Sequence, residues 1–419
     1  MKWRVGVAAM WGLVGMATAA DFYADPATYR DTLIRLQPGD RLLLKPGDYL
    51  HGLPLHELAG TAARPIQIIA AKPAAPPRLL ARANANTISL VNVRYLVLRD
   101  LELDGRNLPV DAVKAEGHSR YADFITLENL HIHDYAASQQ NVGISTKCPA
   151  HGWVVKNNRI ERVGTGMYFG DSDGSAAFVA GLIEGNLITE TLGYNLQIKH
   201  QIIPVNAGAH AEKTGETIIR HNVFSRANPL SGGMPRPNVL LGHGALTGAR
   251  QNEQYRVYSN LFWQNPDEAL FQGEGNLELC NNVFVNTQGD AIHIQPHHHV
   301  PQHVWIRFNT VWAKNAGITV WVPQASSGYR QIVSNNLIFA RRPLLGGERA
   351  DNAVHAYGDA ARYLRRPVMA LAHADFRLKQ SRQIPVEHCP AIPSRGRYMP
   401  GAGVLNPARA GLSLPPPLK

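Results

Sequence analysis

A short strand-forming pattern that ends in asparagine recurs through most of the chain, and no other feature limits the possible folds as strongly. In residues 218–222 it reads IIRHN, with branched apolar residues leading to the asparagine. The intervals between successive copies are 29, 28, 36, 38, 22, 27 and 27 residues. Repeats of this length are typical of architectures in which each unit stacks on the next. The repeated asparagines are Asn129, Asn158, Asn186, Asn222, Asn260, Asn282, Asn309 and Asn336.

The segments between the copies predict strands rather than helices. Strand-forming residues dominate the repeats, and nothing between them has the apolar period of an amphipathic helix. We therefore predict an all-β fold, a single-stranded parallel β-helix. The repeated asparagines are interpreted as an internal ladder of side-chain amides at a turn, each bonded to the next coil.

A second short strand follows most of these asparagines, and the second strands align with one another. They cover residues 141–145, 166–170, 195–199, 238–242, 269–273, 291–295 and 317–321. Their second and fourth positions are apolar, with Gln272 as the exception, so we expect these positions to face the core. The third positions, the fifth positions and the residues just past the strands then form three outward columns. In that order the columns are Tyr168, Gln197, Phe271 and His293; Lys199, Gln295 and Trp321; and Asp171, His200, His243 and Glu274.

The outward columns predict a binding face. Neighbouring coils stack about 4.8 Å apart, so four coils extend over roughly 15 Å. That length suits several sugar units of an extended polymer. In the strand 195–199, three polar residues alternate with two apolar residues that we expect to be buried. We therefore expect the polar residues, Asn195, Gln197 and Lys199, to face solvent.

The chain begins with the features of a secretory signal. Lys2 and Arg4 precede an apolar run over residues 5–16, and small residues at 17–19 resemble a cleavage site. We predict removal of residues 1–19 and a secreted or periplasmic protein. The run is too short to span a membrane, and no later segment approaches that length. Loss of two basic residues changes the formal charge from +10 to +8. This charge favours an acidic polymer as partner. No nucleic-acid motif is present, and we expect a monomer.

The three cysteines cannot form a complete disulfide framework. Cys148 and Cys280 belong to coils that are several layers apart, so we do not expect them to meet. A bridge from one of them to Cys389 stays open, and a buried free thiol is the alternative.

The N-terminal region predicts an end cap and carries motifs of a known family. Residues 29–36 are interpreted as a short helix that covers the open end of the stack. The motifs that follow are GDRLLL at 39–44, PGDY at 46–49, GT at 60–61 and RPIQI at 64–68, with ADFRL at 374–378 as a last-coil motif. They resemble right-handed parallel β-helix polysaccharide lyases of the alginate lyase and chondroitinase B kind. The resemblance implies a right-handed β-helix over residues 20–390, followed by an extended tail at 391–419.

The resemblance also implies a mechanism. In that family a lysine on the strand face removes the C5 proton of a uronate, and an arginine and a calcium ion assist it. Lys199 stands where that lysine would stand. The family's acidic calcium ligands ahead of the lysine are replaced here by Asn195 and Gln197. We therefore predict no firm cofactor, and calcium stays an alternative. A metal in the outward column of Asp171, His200, His243 and Glu274 is another, with Asp171 and Glu274 as its candidate ligands.

The site hypothesis assigns each outward residue a role in β-elimination of an acidic polysaccharide. Lys199 is the base, His243 or Tyr168 is the acid, and Arg236 with Asn195 and Gln197 holds the substrate carboxylate, Arg250 being another candidate. The remaining predicted binding residues are His200, Phe271, His293 and Gln295. Residues 297–299 (HHH) are interpreted as a loop beside the groove, with metal binding as the alternative.

Other functions stay open on the same face. C5 epimerisation begins with the same proton abstraction, and a β-helix that binds polysaccharide without chemistry is also consistent with the columns. Hydrolysis by Asp171 and Glu274 is disfavoured, because three coils place them about 14 Å apart. Inverting glycosidases need roughly 6.5–9.5 Å between their carboxyl groups.

Overall fold

The structure is a computed structural model that describes residues 19–202, 214–324 and 327–379. Three parallel sheets run along a stack of coils, and a typical coil contributes one strand to each sheet; the short strands Ala150–His151 and Phe178–Val179 are additional members of the first sheet. Strands are numbered in chain order.

Sheet 1 contains 15 of the described strands. They are β1 (Asp21–Ala24), β2 (Arg41–Leu44), β5 (Ile66–Ala70), β8 (Val93–Arg99), β11 (Ala122–Glu128), β14 (Ala150–His151), β15 (Val154–Lys156), β18 (Phe178–Val179), β19 (Leu182–Glu184), β22 (Thr217–Arg220), β25 (Tyr255–Tyr258), β28 (Leu277–Cys280), β31 (Val304–Arg307), β34 (Gln331–Ser334) and β37 (Glu348–Ala350).

Sheet 2 contains 11 of the described strands. They are β4 (Leu53–His56), β7 (Ile88–Val91), β10 (Val113–Ala115), β13 (Val142–Thr146), β17 (Thr165–Phe169), β21 (Leu196–Ile198), β24 (Val239–Leu241), β27 (Phe271–Gly273), β30 (Ile292–Ile294), β33 (Ala316–Val320) and β36 (Arg342–Leu345).

Sheet 3 contains 12 of the described strands. They are β3 (Asp48–Tyr49), β6 (Arg78–Leu80), β9 (Glu102–Asp104), β12 (His131–Tyr135), β16 (Arg159–Val163), β20 (Leu187–Thr191), β23 (Val223–Ser225), β26 (Leu261–Trp263), β29 (Val283–Asn286), β32 (Thr310–Ala313), β35 (Leu337–Phe339) and β38 (Ala353–His355).

The core lies inside the coils and is built from columns of like residues. Strand alternation turns every second side chain inward, and parallel pairing places that side chain above its counterpart in the coil below. In sheet 3 the inward side chains of three successive coils are phenylalanines. The ring centroids of Phe224 and Phe262 lie 5.3 Å apart, and those of Phe262 and Phe284 lie 4.4 Å apart. The inward column of sheet 1 is fully buried and consists of Leu98, Leu127, Val155, Ile183, Ile219, Val257, Leu279, Ile306 and Val333. The predicted all-β parallel β-helix is confirmed.

The predicted asparagine ladder is present at the turn between sheets 1 and 3. Each side-chain Nδ2 donates to the Oδ1 of the next asparagine at 2.9–3.0 Å. The residue before each ladder asparagine has a positive φ of 53–67°, which lets the chain turn between the two sheets within two residues. The ladder comprises Asn158, Asn186, Asn222, Asn260, Asn282, Asn309, Asn336 and Asn352.

The ladder differs from the prediction at its two ends. Asn129 is exposed, occupies the positive-φ position of its turn, and donates to Asp100 instead. Leu130 takes the ladder position, and its backbone N–H donates to Asn158 Oδ1 at 2.9 Å. Asn352, which the sequence alignment did not include, accepts from Asn336. Asn129 stands one residue before the ladder position, and this difference of one residue leaves its side-chain amide exposed rather than buried in the ladder.

Both ends of the described chain carry additional elements. The predicted N-terminal helix is confirmed as α1 (Tyr29–Leu33), whose buried Tyr29 packs on Tyr49 at a ring distance of 5.0 Å. At the other end, α2 (Ala360–Tyr363) leads into β39 (Leu364–Arg366), which pairs antiparallel with β40 (Asp375–Leu378). Short 3₁₀ helices cover Gly248–Arg250, Tyr357–Asp359 and Leu371–His373.

The motif at 374–378 is therefore not a last coil of the stack, and that interpretation was wrong. Its Phe376 instead packs on Trp263, with ring centroids 6.0 Å apart, against the outer face of sheet 3. An antiparallel pair suits this position because it covers apolar side chains of sheet 3 rather than extending the parallel ladder.

Several predictions concern residues outside the described part of the chain. Residues 1–18 of the predicted signal, the tail at 391–419 and Cys389 all lie there. Within the described part, Cys148 is free and buried, and Cys280 is disulfide-bonded. None of the helices in the described ranges is long and apolar enough to cross a membrane.

Candidate functional site

Sheet 2 presents two rows of side chains away from the core, and the strand pairing defines their members. The outer row, in the middle of the strands, contains Lys114, Ser145, Tyr168, Gln197, Leu240, Gln272, His293 and Thr319. The end row, two residues further along, contains Lys147, Gly170, Lys199, Gly242, Glu274, Gln295 and Trp321. Residues of opposite rows on neighbouring coils are diagonal neighbours, within reach of long side chains.

One coil of the predicted alignment is wrong by one residue. Phe271 pairs with Val239 and Ile292, which are core residues, and it is fully buried. Phe271 therefore cannot bind substrate, and Gln272 takes the outward position between Leu240 and His293. A one-residue slip moves every side chain of a strand to the other face. The same slip moves Glu274 out of the predicted His200–His243 column and into the end row with Lys199.

Asn195 does not face the solvent as predicted. It is fully buried, and its Nδ2 donates to Thr191 Oγ1 at 3.1 Å and to the Ser225 carbonyl at 3.2 Å. It lies just before strand β21, where its amide ties neighbouring chain segments together. The prediction that Asn195 binds a substrate carboxylate is wrong for this reason.

Lys199 lies at the centre of the end row with glycine on both sides. Gly170 and Gly242 occupy the same position in the coils before and after it. A Cβ at Gly242 would lie 2.3 Å from the backbone nitrogen of His200, so this glycine permits the close approach of the two coils. The lysine is half-buried, and burial lowers its pKa. Among the described residues no carboxylate forms an ion pair with its ammonium; Glu274 acts on it only from a distance.

Tyr168 is a diagonal neighbour of Lys199, one coil earlier in the outer row. Its hydroxyl lies 3.3 Å from Ser172 Oγ, and the Lys147 ammonium lies 3.8 Å from the centroid of its ring. Burial raises the pKa of Tyr168, so the hydroxyl keeps its proton at neutral pH. Tyr168 is therefore a proton donor in reach of the face.

His243 lies deeper than predicted. It is 2% exposed, and its Nδ1 donates to the Gly244 carbonyl at 2.7 Å. Its ring lies 5.5 Å from that of His200 and 5.6 Å from that of His299. Burial lowers the pKa of His243 despite that hydrogen bond, so the ring is neutral at pH 7 and its Nε2 carries no proton. A neutral, enclosed imidazole of this tautomer cannot protonate a leaving group.

The loop at residues 297–299 is held in place by Glu274. The backbone N–H groups of three successive histidines donate to Glu274 Oε2 at 2.6, 2.7 and 3.0 Å. Burial opposes ionisation of this carboxyl, but these three bonds outweigh it and lower its pKa. His298 stacks on His200 at a ring distance of 3.7 Å. The predicted interpretation as a loop beside the groove agrees with this position.

His200 has an unusual environment within the same cluster. Burial and the neighbouring His298 and Lys199 lower its pKa to about 4. Its Nδ1 is buried and has no hydrogen-bond partner in the described part of the chain. The ring is therefore neutral at physiological pH and is not a second cation beside Lys199.

Of the remaining predicted residues on the face, two have side-chain partners of their own. His293 Nε2 is 3.0 Å from Asp290 Oδ2, and Gln295 Nε2 donates to Gln272 Oε1 at 3.5 Å. Gln197 is 7% exposed between Tyr168 and Leu240.

The two candidate arginines differ in their surroundings. Arg236 lies over the ring of Tyr194 at 5.6 Å, and no carboxylate among the described residues pairs with it. Arg250 is 2% exposed and pairs with Glu253 at 2.8 Å, so it is not available to a substrate.

The proposed calcium ligands do not converge. Asp171 lies 3.6 Å from the Lys147 ammonium, Glu274 is occupied by the loop, and the Asn195 amide points to backbone and Thr191. These residues do not fit calcium. Within the described ranges, the acidic and histidine side chains that converge closely enough for a metal ion are Asp104, His133 and Asp134 on sheet 3, away from this face.

Lys147 is the main residue that sequence analysis missed. The predicted alignment places residue 141 opposite Gly166, but in the structure Gly143 pairs with Gly166. This shift of two residues places Lys147 in the end row, at the position that Lys199 occupies in its own coil. The signal was available in the spacing, since Gly143 to Lys147 and Asn195 to Lys199 are both four residues apart.

Comparison with known proteins identifies the architecture. The family model described as right-handed β-helix region matches residues 142–338. A search of curated protein sequences finds no significant match.

Similar solved structures show low sequence identity. A GH136 lacto-N-biosidase from Eubacterium ramulus is 14% identical, with 80% of this chain and 68% of that chain covered and a TM-score of 0.49. A family 6 polysaccharide lyase from Pseudopedobacter saltans is 13% identical, with 81% and 94% covered and a TM-score of 0.44. The A-module of a mannuronan C-5 epimerase from Azotobacter vinelandii is 12% identical, with 79% and 91% covered and a TM-score of 0.44. Values this low carry no argument about activity. The described part of the chain is a right-handed parallel β-helix.

Proposed function

We propose that the protein is an exported polysaccharide lyase that binds an acidic polysaccharide along the outer face of sheet 2 and cleaves it by β-elimination. The observation that carries the proposal is the environment of Lys199. It is a half-buried lysine with a lowered pKa, has glycine on both sides and has no ion-pair partner among the described residues. A lysine acts as a base when burial reduces its affinity for protons, and this environment has that effect.

The reaction needs one proton removed and one delivered. Lys199 Nζ, in its neutral form, takes the C5 proton of a uronate unit. The electron pair of that C–H bond forms the C4–C5 double bond, and the bond from C4 to the glycosidic oxygen breaks. Tyr168 gives its hydroxyl proton to the departing oxygen. Base and acid are diagonal neighbours on adjacent coils, which suits removal and delivery on one side of the sugar.

The C5 proton is acidic enough only when the neighbouring carboxylate is neutralised. Arg236 and Gln197 are the side chains that we assign to this carboxylate. Arg236 brings a charge without a carboxylate partner in the described part of the chain, and Gln197 lies in the outer row next to Tyr168. His200 and His243, whose rings lie 5.5 Å apart, both have lowered pKa values and so add no positive charge near Lys199 at neutral pH.

Other chemistries on this fold receive less support from the residues. A β-helix hosts several reactions, so the fold does not decide between them. Hydrolysis by Asp171 and Glu274 is unfavourable, because three coils separate them and each already has a partner. C5 epimerisation shares the Lys199 step but breaks no glycosidic bond.

The test is a screen of the purified protein against a panel of uronic-acid polymers, with the ultraviolet absorbance of the unsaturated product as readout. Lys199→Ala should reduce saturated turnover by about 10² to 10⁴ with little change in binding. Lys199→Arg should rescue poorly, because a guanidinium stays protonated. Lys156→Ala is the matched control, since Lys156 is a half-buried lysine on sheet 1. Full activity of Lys199→Ala would remove this residue from the mechanism, and a bound polymer without unsaturated product would overturn the lyase assignment.

A further inference from the structure

The end row contains a second lysine whose position repeats that of Lys199. Lys147 lies two coils earlier in the same row, and Gly170 occupies the coil between them. Two coils correspond to a separation of about 10 Å along the stack. The row therefore presents two lysines separated by one position without a side chain.

Lys147 is held in a defined position rather than extended into solvent. Its side chain is 22% exposed, and its ammonium lies 3.8 Å from the Tyr168 ring centroid and 3.6 Å from Asp171 Oδ1. A cation over an aromatic face is stabilised by the ring. Because these contacts fix the side chain before any ligand binds, less conformational entropy is lost on binding. Burial lowers the pKa of Lys147, while Asp171 opposes that shift.

Glycine at position 170 is a requirement of the fold, because the residue is buried and a Cβ there would lie 3.0 Å from the Ala176 carbonyl oxygen. Its φ of +90° is strained for other residues, and a Cβ there would lie 3.3 Å from Lys199 Cβ. Gly170 therefore places no side chain between the two lysines, and the half-buried Tyr168 ring of the same coil lies beside this position in the outer row.

We propose that Lys147 forms a second carboxylate-binding subsite, which holds the uronate two sugar units away from the one at Lys199. In an extended 1,4-linked polyuronate, successive units alternate in orientation, so carboxylates of every second unit project to the same side. Two sugar units of such a chain span about the same length as two coils. The end row thus recognises the repeat distance of the polymer. This inference rests on the proposed binding of an acidic polysaccharide.

The alternative is that Lys147 and Asp171 form a structural ion pair with no role in binding. The pair is partly exposed, and such pairs contribute little to stability. The two interpretations differ in how binding depends on chain length, because only an oligomer of three or more units reaches from Lys199 across Gly170 to Lys147.

The experiment measures the affinity of uronate oligomers of one, two, three, four and five units by calorimetry. All proteins carry Lys199→Ala, so that the oligomers stay intact. Adding Lys147→Gln should weaken binding of the trimer and longer oligomers about tenfold, the effect of one lost charged contact. Binding of the monomer and dimer should not change. Lys156→Gln is the control, because it removes an ion-paired lysine of similar exposure from sheet 1.

Each outcome decides between the interpretations. An unchanged trimer affinity, or an equal loss at every length, would overturn the subsite. If the length-dependent loss occurs but the unsubstituted protein yields no unsaturated product, the subsite stands and the lyase assignment falls. If no uronate oligomer or polymer binds, both the subsite and the proposed function are overturned.

Discussion

Replacing Asn222 with alanine should destabilise the protein far more than the same change at Asn129, although both belong to the repeated sequence pattern. The Asn222 side chain is fully buried and makes four hydrogen bonds. It donates to the Ile183 carbonyl at 2.9 Å and to Asn260 Oδ1 at 3.0 Å, and it accepts from the backbone and side-chain nitrogens of Asn186, both at 2.9 Å.

The size of the effect follows from the groups left without partners. Alanine at 222 leaves the Asn186 backbone N–H, one Asn186 side-chain N–H and the Ile183 carbonyl without their ladder contacts. Each buried polar group without a partner costs about 1–3 kcal/mol, so for the three groups we expect a loss of roughly 3–9 kcal/mol in the free energy of unfolding. Asn129 is exposed and makes one side-chain bond, to Asp100. Its loss, together with an alanine at positive φ, should cost about 1–2 kcal/mol.

The assay is equilibrium unfolding in guanidinium chloride followed by circular dichroism. Both variants should retain the β-rich spectrum of the unsubstituted protein, and the midpoint of Asn222→Ala should be clearly lower at an unchanged slope. A midpoint for Asn222→Ala equal to or above that of Asn129→Ala would refute the hydrogen-bond argument and the register on which it depends.

Three further predictions concern the face of sheet 2. Phe271→Ala should lower the free energy of unfolding by about 3–5 kcal/mol. Gln272→Ala, which removes a hydrogen bond to Glu268, should cost less stability and should also alter polymer affinity; the reverse pattern in unfolding and binding measurements would restore the original alignment. Activity should survive chelation by EDTA, because the candidate calcium ligands do not converge; complete loss that calcium restores would contradict this. Turnover should rise with pH, and the rise should occur at a pH below the pKa of an ordinary lysine, because a base must be unprotonated and burial lowers the pKa of Lys199. If Lys199→Arg shows the same rise at the same pH, the titrating group is a different residue.

The periodicity of the sequence was sufficient to predict strands, stacking and the amide ladder, because each depends on which residues alternate within one coil. Alignment between coils was less certain. Loops of different length separate the strands, so nothing local fixes which residue of one coil lies above which residue of the next. Phe271 shows the consequence, since a slip of one residue exchanged a core phenylalanine for an outward glutamine. A two-residue error in the alignment of residues 141–145 kept each side chain on its correct side of the sheet. It left Lys147 outside the aligned strand, so its correspondence with Lys199 was missed.

Contacts that depend on loop conformation were not predictable from residue pattern. The carboxylate side chain of Glu274 suggested a metal ligand or a catalytic acid. In the structure its carboxylate is bound by three successive backbone N–H groups of residues 297–299, and every residue except proline carries such a group. Asn195 was misplaced for a related reason, because its partners are a neighbouring threonine and a carbonyl contributed by β23.

The asparagine ladder separates the parts of the chain that can change length from those that cannot. Successive ladder residues from Asn158 to Asn336 are between 22 and 38 residues apart, yet every rung has the same length within 0.1 Å. The turn at the ladder always takes two residues, so the variation in coil length falls on the other connections, including those that border sheet 2. Insertions there can reshape the groove without displacing Lys147 or Lys199 along the stack. Substrate preference in such a molecule can diverge by loop length alone, while the distance between its two lysines stays constant.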